Sequence, residues 1–110
     1  TTLENLKESA GGENYEYTTM YPEFAAKARE EGFENIAVVF DMIAKAEMMH
    51  EERFLGLAAN IEKDQVFKKA EKKVWVCQNC GYRHEGEEAP GACPTCAHPQ
   101  AHFKLWVTEW

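Results

Sequence analysis

Apolar residues in the first part of the chain recur at steps of three and four, which is the spacing of one face of an α-helix. Between residues 3 and 31 the positions on this face are Leu3, Leu6, Ala10, Tyr17, Met20 or Tyr21, Phe24 and Ala28. Gly11, Gly12 and Pro22 oppose a helix, since glycine costs about 1 kcal/mol and proline about 3 kcal/mol in a helix interior. Because the pattern continues past Pro22, we predict a kink near that residue and a helix end at Gly32.

A second helix is predicted by a longer row of apolar positions that contains no glycine or proline before Gly56. Its members are Phe33, Ile36, Ala37, Phe40, Ile43, Ala44, Phe54, Leu57, Ala58 and Ile61. The short turn at Gly32 makes the two helices an antiparallel hairpin over residues 1–62. Residues 63–73 are polar and rich in lysine, and we interpret them as a linker of little regular structure.

Four cysteines in the third segment, residues 74–110, form two Cys-x-x-Cys pairs, which are Cys77 with Cys80 and Cys93 with Cys96. Two residues between the thiols of a pair let both sulfur atoms turn toward one point, so two pairs make a tetrahedral cage for zinc or iron. Disulfides or a redox-active pair are the alternatives, but the doubled spacing in a chain without a secretory signal favours a metal. The segment is too short to bury a core alone, so we expect the metal to contribute to its folding.

Composition and charge exclude several classes of partner. The chain has 110 residues, a formal net charge of −7 and a pI near 5.1, which argue against nucleic acid and anionic membrane surfaces. No apolar run is long enough for a membrane helix or has the form of a secretory signal. Thiolate ligands fit a reducing cytosol, so a cytoplasmic location is expected. The missing initiator methionine indicates processing or a piece of a longer polypeptide.

Charged residues interrupt both apolar rows at matching places. Glu13 lies within the first row and Glu16 at its edge, while Glu47 and His50 lie within the second. The Glu-x-x-Glu and Glu-x-x-His spacings put both members of each pair on one side of their helix. A buried carboxylate without a partner is costly, so these positions need an explanation.

A metal ion is the partner that accepts carboxylates and an imidazole together, because Lys45 and Arg53 lie off the apolar rows. Four-helix bundles hold di-iron and di-manganese sites with a Glu from each of two helices and a Glu-x-x-His from each of the other two. The alternatives are a chance Glu-x-x-His, glutamates on a solvated face and a hydrogen-bonded core histidine. Both motifs on adjacent apolar faces, in a chain that also has a tetrathiolate cage, favour a dinuclear site.

These motifs together closely resemble the rubrerythrin family. Residues 12–17 (Gly-Glu-Asn-Tyr-Glu-Tyr) and 20–22 (Met-Tyr-Pro) are similar to the third helix of its ferritin-like bundle, and residues 47–54 to the fourth. Residues 75–82 and 93–99 resemble its rubredoxin-like domain. The resemblance implies an all-α ferritin-like four-helix bundle, half of it supplied by this chain as a helical hairpin, followed by a small rubredoxin-like, metal-bound β domain.

The resemblance also implies an activity, which is the reduction of hydrogen peroxide to water by a non-haem di-iron peroxidase in oxidative-stress defence. The expected di-iron ligands are Glu13, Glu16, Glu47 and His50. Glu47, the deepest in its row, would bridge the irons, and Glu16 would be a mobile ligand.

A mononuclear rubredoxin-type iron would relay electrons from a redox donor protein. Its expected ligands are Cys77, Cys80, Cys93 and Cys96. The backbone N–H groups after the second cysteine of each pair, including that of Gly81, are expected to donate hydrogen bonds to sulfur. Zinc stays an alternative for this site, since zinc ribbons use nearly the same motif.

The chain departs from the family in one respect, because rubrerythrins normally begin with two more helices that carry another Glu and another Glu-x-x-His. Alone, this chain offers about half of a di-iron ligand shell. The missing helices would come from a separate or cleaved first-half chain, which we favour, or from a second copy of this chain. The resemblance further implies a homodimer or swapped assembly, with the tetrathiolate iron of one subunit near the di-iron site of the other.

Two other functions stay open at the level of sequence. One is a ferroxidase or iron-handling protein on the same bundle, and the other is a non-enzymatic helical hairpin whose structural zinc ribbon accompanies partner binding. Tyr17 and Tyr21 lie about one turn from the carboxylates and either orient them or pack as ordinary aromatics. The remaining histidines are interpreted as surface residues, and these are His84, His98 and His102. The lysines of the linker are interpreted as solvated, or as a surface that orients an acidic redox donor.

Overall fold

In the computed structural model, which describes residues 1–109, the chain begins with one long helical segment. Helix α1 spans Thr2–Tyr15, a π-helical turn follows over Glu16–Met20, and helix α2 continues over Tyr21–Glu30. Thr1 caps the start, because its hydroxyl accepts from the Glu4 N–H at 3.2 Å while the Glu4 carboxylate accepts from the N-terminal amine.

A π-helical turn precedes Pro22, near which the sequence predicts a kink. The Tyr21 N–H donates to the Glu16 carbonyl, five residues back instead of four. Pro22 itself is the second residue of α2, and because it has no N–H it donates no hydrogen bond to the preceding turn. The helix therefore continues through Pro22, as its apolar pattern predicts.

The first helical segment ends at Gly32, which has a φ of +85°. The Gly32 N–H donates to the Arg29 carbonyl at 3.0 Å and the Phe33 N–H to the Ala28 carbonyl at 2.8 Å. This paired pattern is the Schellman ending that glycine permits, because only glycine takes a positive φ without cost. Helix α3 then spans Glu34–Glu62, and the predicted helical hairpin is confirmed.

Small residues form the contact between the two arms of the hairpin. Its buried apolar residues are Ala10, Ala25, Ala28, Ala37 and Ala58. Larger apolar side chains remain exposed on this unit, among them Phe24, Phe33, Ile36, Val39, Met48, Met49, Leu55 and Leu57. The fully buried residues of the hairpin are therefore alanines, whereas these larger apolar side chains remain about half exposed.

The second unit begins at Lys63 and contains a three-stranded antiparallel sheet. Strand β1 spans Lys68–Cys77, β2 spans Arg83–Glu88 and β3 spans Phe103–Leu105, in the order β2-β1-β3, with a short 3₁₀ turn over Gln100–His102. Its buried cluster consists of Trp75, Cys77, Ala89, Cys93 and Phe103. Two of the four cysteines are thus part of the core, as expected for a unit too small to fold around apolar side chains alone.

The structure differs from the sequence interpretation over residues 68–73, which belong to β1 rather than to a linker. Lys68 pairs with Glu88 and Lys73 with Gly86, with an irregularity between these two positions. Strand pairing uses backbone groups, so a lysine-rich segment can extend a strand while its side chains stay in solvent. Among the described residues, we find no helix with the length and apolar character needed to cross a membrane.

Candidate metal centres

Two carboxylates and one imidazole meet between the arms of the hairpin. The Nδ1 atom of His50 lies 2.6 Å from Oε2 of Glu47 and 3.5 Å from Oε2 of Glu13. One ligand atom from each of the three residues lies within 4.8 Å of the others. Helix α1 contributes Glu13, and the Glu-x-x-His spacing on α3 brings Glu47 and His50 to the same side.

Glu13 is the residue whose environment most needs a cation. Its side chain is 18% exposed, and its Oε2 atom is buried without a hydrogen-bond partner. Burial raises the pKa of Glu13, and the carboxylates of Glu47 and Glu16 raise it further, whereas His50 opposes the shift. A carboxylate that is desolvated and faces like charge is stabilised by a metal, and oxygen and imidazole donors together suit iron. The residues present therefore fit the di-iron centre that the sequence suggests.

Glu16 lies at the start of the π-helical turn and is half-buried. It is not among the three residues whose ligand atoms meet, although its charge acts on Glu13. The structure thus brings together three of the four predicted di-iron ligands. The role of Glu16 as a mobile ligand stays a prediction.

An open cleft of about 310 Å³ adjoins the three residues. It is lined by Glu13, His50, Arg53, Phe54 and Leu57. The sequence interpretation placed Arg53 off the apolar row, but the structure places it at this cleft. The reason is geometric, since Arg53 follows His50 by three residues, which is one turn of the same helix.

Among the described residues, the hydrogen bonds of Tyr17 go to residues other than the predicted ligand carboxylates. The Tyr17 hydroxyl donates to Oε2 of Glu51 at 2.6 Å, and this hydrogen bond raises the pKa of Tyr17. Tyr21 packs as an ordinary aromatic, with its ring centroid 6.0 Å from that of Phe40 and 6.1 Å from that of Phe24. Sequence reasoning missed Glu51, although its position four residues after Glu47 put it on nearly the same face of α3.

The four thiols of the second unit meet at one point. The Sγ atoms of Cys77 and Cys96 lie 3.7 Å apart, those of Cys80 and Cys93 lie 3.6 Å apart, and all four lie within 4.8 Å of one another. A tetrahedral ion with metal–sulfur bonds of about 2.3 Å needs sulfur–sulfur edges of about 3.8 Å. The thiols are free rather than paired as disulfides, so their spacing fits a tetrathiolate metal.

Each cysteine pair sits on a turn of the same design. The Gly81 N–H donates to the Cys77 carbonyl at 2.8 Å, and the Ala97 N–H donates to the Cys93 carbonyl at 2.9 Å. Both closing residues have positive φ, +81° for Gly81 and +61° for Ala97. Left-handed backbone directly after the second cysteine of each pair turns the chain at that point, a conformation that glycine takes at no steric cost.

The sulfur atoms of Cys80 and Cys96 accept hydrogen bonds from the residues that follow Gly81 and Ala97. The Gly81 N–H donates to the Cys77 carbonyl instead of to a sulfur atom, so this part of the sequence prediction was wrong. The donors to sulfur are the N–H groups of Tyr82 and His98. The His98 N–H lowers the pKa of Cys96 to about 6, aided by the Asn79 side chain and opposed by burial. The Tyr82 N–H also acts to lower the pKa of Cys80, but burial and the neighbouring thiols outweigh it and raise that pKa to about 12.

The other histidines lie outside both groups of candidate ligands. The rings of His98 and His102 meet edge to face with centroids 4.5 Å apart, and His84 pairs across the sheet with Trp75. Within residues 1–109, the groups of three or more candidate ligands are the two just described.

Comparison with known proteins matches both units. The family model described as rubrerythrin matches residues 1–58, and that described as the rubredoxin-like domain of rubrerythrin matches residues 75–104. A rubrerythrin of Nitratidesulfovibrio vulgaris is 56% identical over 109 residues, covering 99% of this chain and 57% of the relative. A rubrerythrin of Porphyromonas gingivalis is 50% identical over 110 residues, covering 100% of this chain and 55% of the relative.

A solved structure of nigerythrin in a partially reduced state has a TM-score of 0.54 and 36% sequence identity. The match covers 96% of this chain and 50% of that chain. This chain therefore spans about half the length of the relatives it matches, and the matched half contains both groups of candidate ligands.

Proposed function

This chain belongs to the rubrerythrin family, and we propose that it supplies half of a di-iron peroxidase that reduces hydrogen peroxide to water. Its relatives place it among iron-based redox proteins. The observation that carries the proposal is the buried, unpartnered Oε2 of Glu13 beside Glu47 and His50, in the same chain as a tetrathiolate cage.

The dinuclear site would be held by Glu13, Glu47 and His50, with Glu16 as a further ligand. When bound, a pair of ferrous ions supplies the two electrons that, with two protons, convert one hydrogen peroxide into two water molecules. Glu47, which is only 12% exposed, would be the bridging ligand, and a bound cation would stabilise the Glu13 carboxylate, whose pKa is raised by burial and by the neighbouring carboxylates. Glu16 lies on the π-helical turn, where the backbone bonding pattern changes, which suits a ligand that moves.

The four cysteines would hold the mononuclear iron through which electrons reach the dinuclear site. Their cage is preformed by the two turns, so little rearrangement is needed between oxidation states. Hydrogen bonds from Tyr82 and His98 to sulfur favour the more electron-rich, reduced form of such a centre. An external redox protein is the proposed source of electrons.

The remaining di-iron ligands would come from helices that cover the apolar face of the hairpin. We propose a separate or cleaved first-half chain that carries its own Glu and Glu-x-x-His, with a second copy of this chain as the alternative. The support is the exposed apolar surface of the hairpin and the coverage of only about half of each relative. A dimer would place the tetrathiolate iron of one subunit near the dinuclear site of the other.

The proposal is tested with the assembled, fully reduced protein mixed with hydrogen peroxide in the absence of oxygen. We expect rapid oxidation that consumes about one peroxide per dinuclear site, followed by loss of reducing equivalents from the tetrathiolate iron. Slow reaction with peroxide but mineralisation of added ferrous ion would favour the ferroxidase function. One zinc per chain and no iron, after anaerobic production, would contradict any redox role.

A further inference from the structure

A hydrogen-bonded cluster of Asn14, Tyr17 and Glu51 joins the first helical segment to α3. The Tyr17 hydroxyl donates to Oε2 of Glu51 at 2.6 Å, and the Asn14 amide donates to Oε1 of Glu51 at 3.1 Å. The same amide lies 3.0 Å from the Tyr17 hydroxyl oxygen, to which it donates. All three side chains are half-buried, and both carboxylate oxygens of Glu51 are engaged.

Each residue of this cluster directly follows a predicted di-iron ligand. Asn14 follows Glu13, Tyr17 follows Glu16, and Glu51 follows His50. One residue along a helix turns the side chain by about 100° at nearly the same height. The cluster therefore lies beside the metal ligands, at their level of the hairpin, and joins the backbone segments that carry them.

Among the described residues, no apolar side chain is fully buried at this level of the hairpin. The buried residues lie toward its two ends, with Ala10 and Ala58 on one side and Ala25, Ala28 and Ala37 on the other. Between them, within the described chain, Glu13 lies near Glu47, the His50 imidazole lies within 3.5 Å of both carboxylates, and the Glu47 carboxylate raises the pKa of Glu13. A polar contact between the helices at this level would therefore help to fix the separation that a metal site needs.

We propose that Asn14, Tyr17 and Glu51 are positioning residues that hold Glu13, Glu16 and His50 at the separation required for metal before any metal is bound. This inference rests on the proposed dinuclear site and assigns a role to residues that do not themselves contact the metal. A hydrogen-bonded carboxylate is suited to this role, because charge-assisted bonds are short and directional. Residues around a metal site that orient its ligands commonly change metal affinity 10–100-fold when removed.

The test is Tyr17→Phe in the whole, assembled protein, with Tyr15→Phe as the matched control. Tyr15 lies two residues before Tyr17 and is 55% exposed, and its replacement by phenylalanine removes the same hydroxyl group. The metal-free proteins are titrated with Co²⁺ without oxygen, and visible absorption separates the weak bands of carboxylate-bound Co²⁺ from the strong bands of thiolate-bound Co²⁺. We expect Tyr17→Phe to weaken the carboxylate–histidine site about 10–100-fold and to leave the tetrathiolate site unchanged. Tyr15→Phe should match the unmodified protein.

A double variant distinguishes positioning from general stability. In the unmodified background Glu51→Gln should also weaken Co²⁺ binding, but added to Tyr17→Phe it should cause little further loss, because the hydrogen bond is already gone. Unchanged Co²⁺ affinity in Tyr17→Phe, even with a lower melting temperature, would show that the cluster only fastens the helices and would overturn the proposal.

Hydrogen exchange in the metal-free protein separates this inference from the proposed function. We expect faster amide exchange over residues 13–17 and 47–51 in Tyr17→Phe than in Tyr15→Phe. If the unmodified protein binds Co²⁺ only at the cysteines, the dinuclear assignment fails. Equal exchange in the two variants would refute the positioning role whether or not the dinuclear site exists.

Discussion

At the scale of single residues, the informative positions are carboxylates that face each other and residues with a left-handed backbone. Glu13 and Glu47 are half-buried carboxylates that face each other, an arrangement that costs free energy unless a proton or a metal intervenes. Gly81 and Ala97 occupy left-handed backbone at equivalent places in the two cysteine turns. These positions allow sharp tests at the scale of one residue.

Replacing Glu47 by alanine should remove the proposed bridging ligand while leaving the second unit intact. We expect metal affinity at the carboxylate–histidine site to fall by more than about 100-fold, since even residues outside the ligand shell contribute 10–100-fold. Metal analysis and the visible charge-transfer bands of the tetrathiolate iron measure the two sites separately. Glu52→Ala, an exposed glutamate of the same helix, is the control. Two irons retained at the hairpin of Glu47→Ala would refute the ligand assignment.

Replacing Gly81 by alanine tests the backbone strain of the first cysteine turn. A Cβ at Gly81 meets no atom within 4 Å, so the cost comes from its φ of +81°. We expect the free energy of unfolding to fall by about 1–2 kcal/mol. Gly91 is equally open but does not have this φ, so Gly91→Ala should be neutral or stabilise by about 0.4–1 kcal/mol. Denaturant unfolding of the metal-loaded protein provides the measurement, and equal effects of both variants would contradict this account.

At the scale of elements, the candidate metal sites depend on how turns and helix segments orient the side chains that would bind metal. The two cysteine turns have the same hydrogen-bond pattern, but their sulfur atoms differ in acidity. The first helical segment is continuous past Pro22, but it contains a π-helical turn that starts at Glu16. The two cysteine turns therefore have the same geometry, but the thiols that they carry lose their protons at different pH.

Metal uptake by the tetrathiolate site should depend on pH with a change of slope near pH 6. Metal binding requires thiolates. Cys80, with its pKa near 12, is protonated across the physiological range and must release a proton when a metal binds. Cys96, with its pKa near 6, must release one only in more acidic solution. Affinity should rise with pH throughout, and more steeply below about pH 6 than above it.

Competition titrations with Zn²⁺ between about pH 5 and pH 8 would measure this dependence. Asn79→Ala is the informative variant, because the Asn79 side chain helps to lower the pKa of Cys96. The change of slope should move to higher pH in that variant. An unchanged profile would show that Asn79 has no influence on this thiol.

At the scale of the whole molecule, the exposed face of the hairpin is the dominant feature. Ile36 is 49% exposed and Leu57 is 52% exposed, and both belong to the apolar row that the sequence predicts as buried. An exposed apolar face of this kind is typical of an interaction surface, which supports the proposal that another set of helices covers it. The same helices would complete the ligand shell of the dinuclear site.

We therefore expect that this chain does not hold two irons at the hairpin as a monomer. Leu57→Lys should weaken assembly at least about 10-fold, because burying a leucine side chain contributes about 1.5–3 kcal/mol. Val107→Lys, at a residue of the second unit that is 63% exposed, is the matched control. Sedimentation and native mass measurements test both variants. A folded single chain that binds two irons at the hairpin and reduces peroxide would contradict the prediction.

The sequence by itself determined the features that depend on local spacing. Two residues between cysteines are enough to bring two thiols together, so Cys77, Cys80, Cys93 and Cys96 were identified as one site. Helical periodicity placed Glu13, Glu47 and His50 on facing sides, and a glycine at residue 32 located the turn between the helices. Such features follow from bond geometry within a few residues, which a linear pattern records.

Only the tertiary structure decided the features that depend on contacts between distant segments. The partner of Tyr17 is Glu51, 34 residues away, and no spacing rule selects it over the nearer carboxylates. Residues 68–73 join a strand, because strand pairing uses backbone groups and does not depend on the polar side chains that suggested a linker. Whether a residue is buried or bonded across helices depends on the packing of the whole chain, which local composition does not encode.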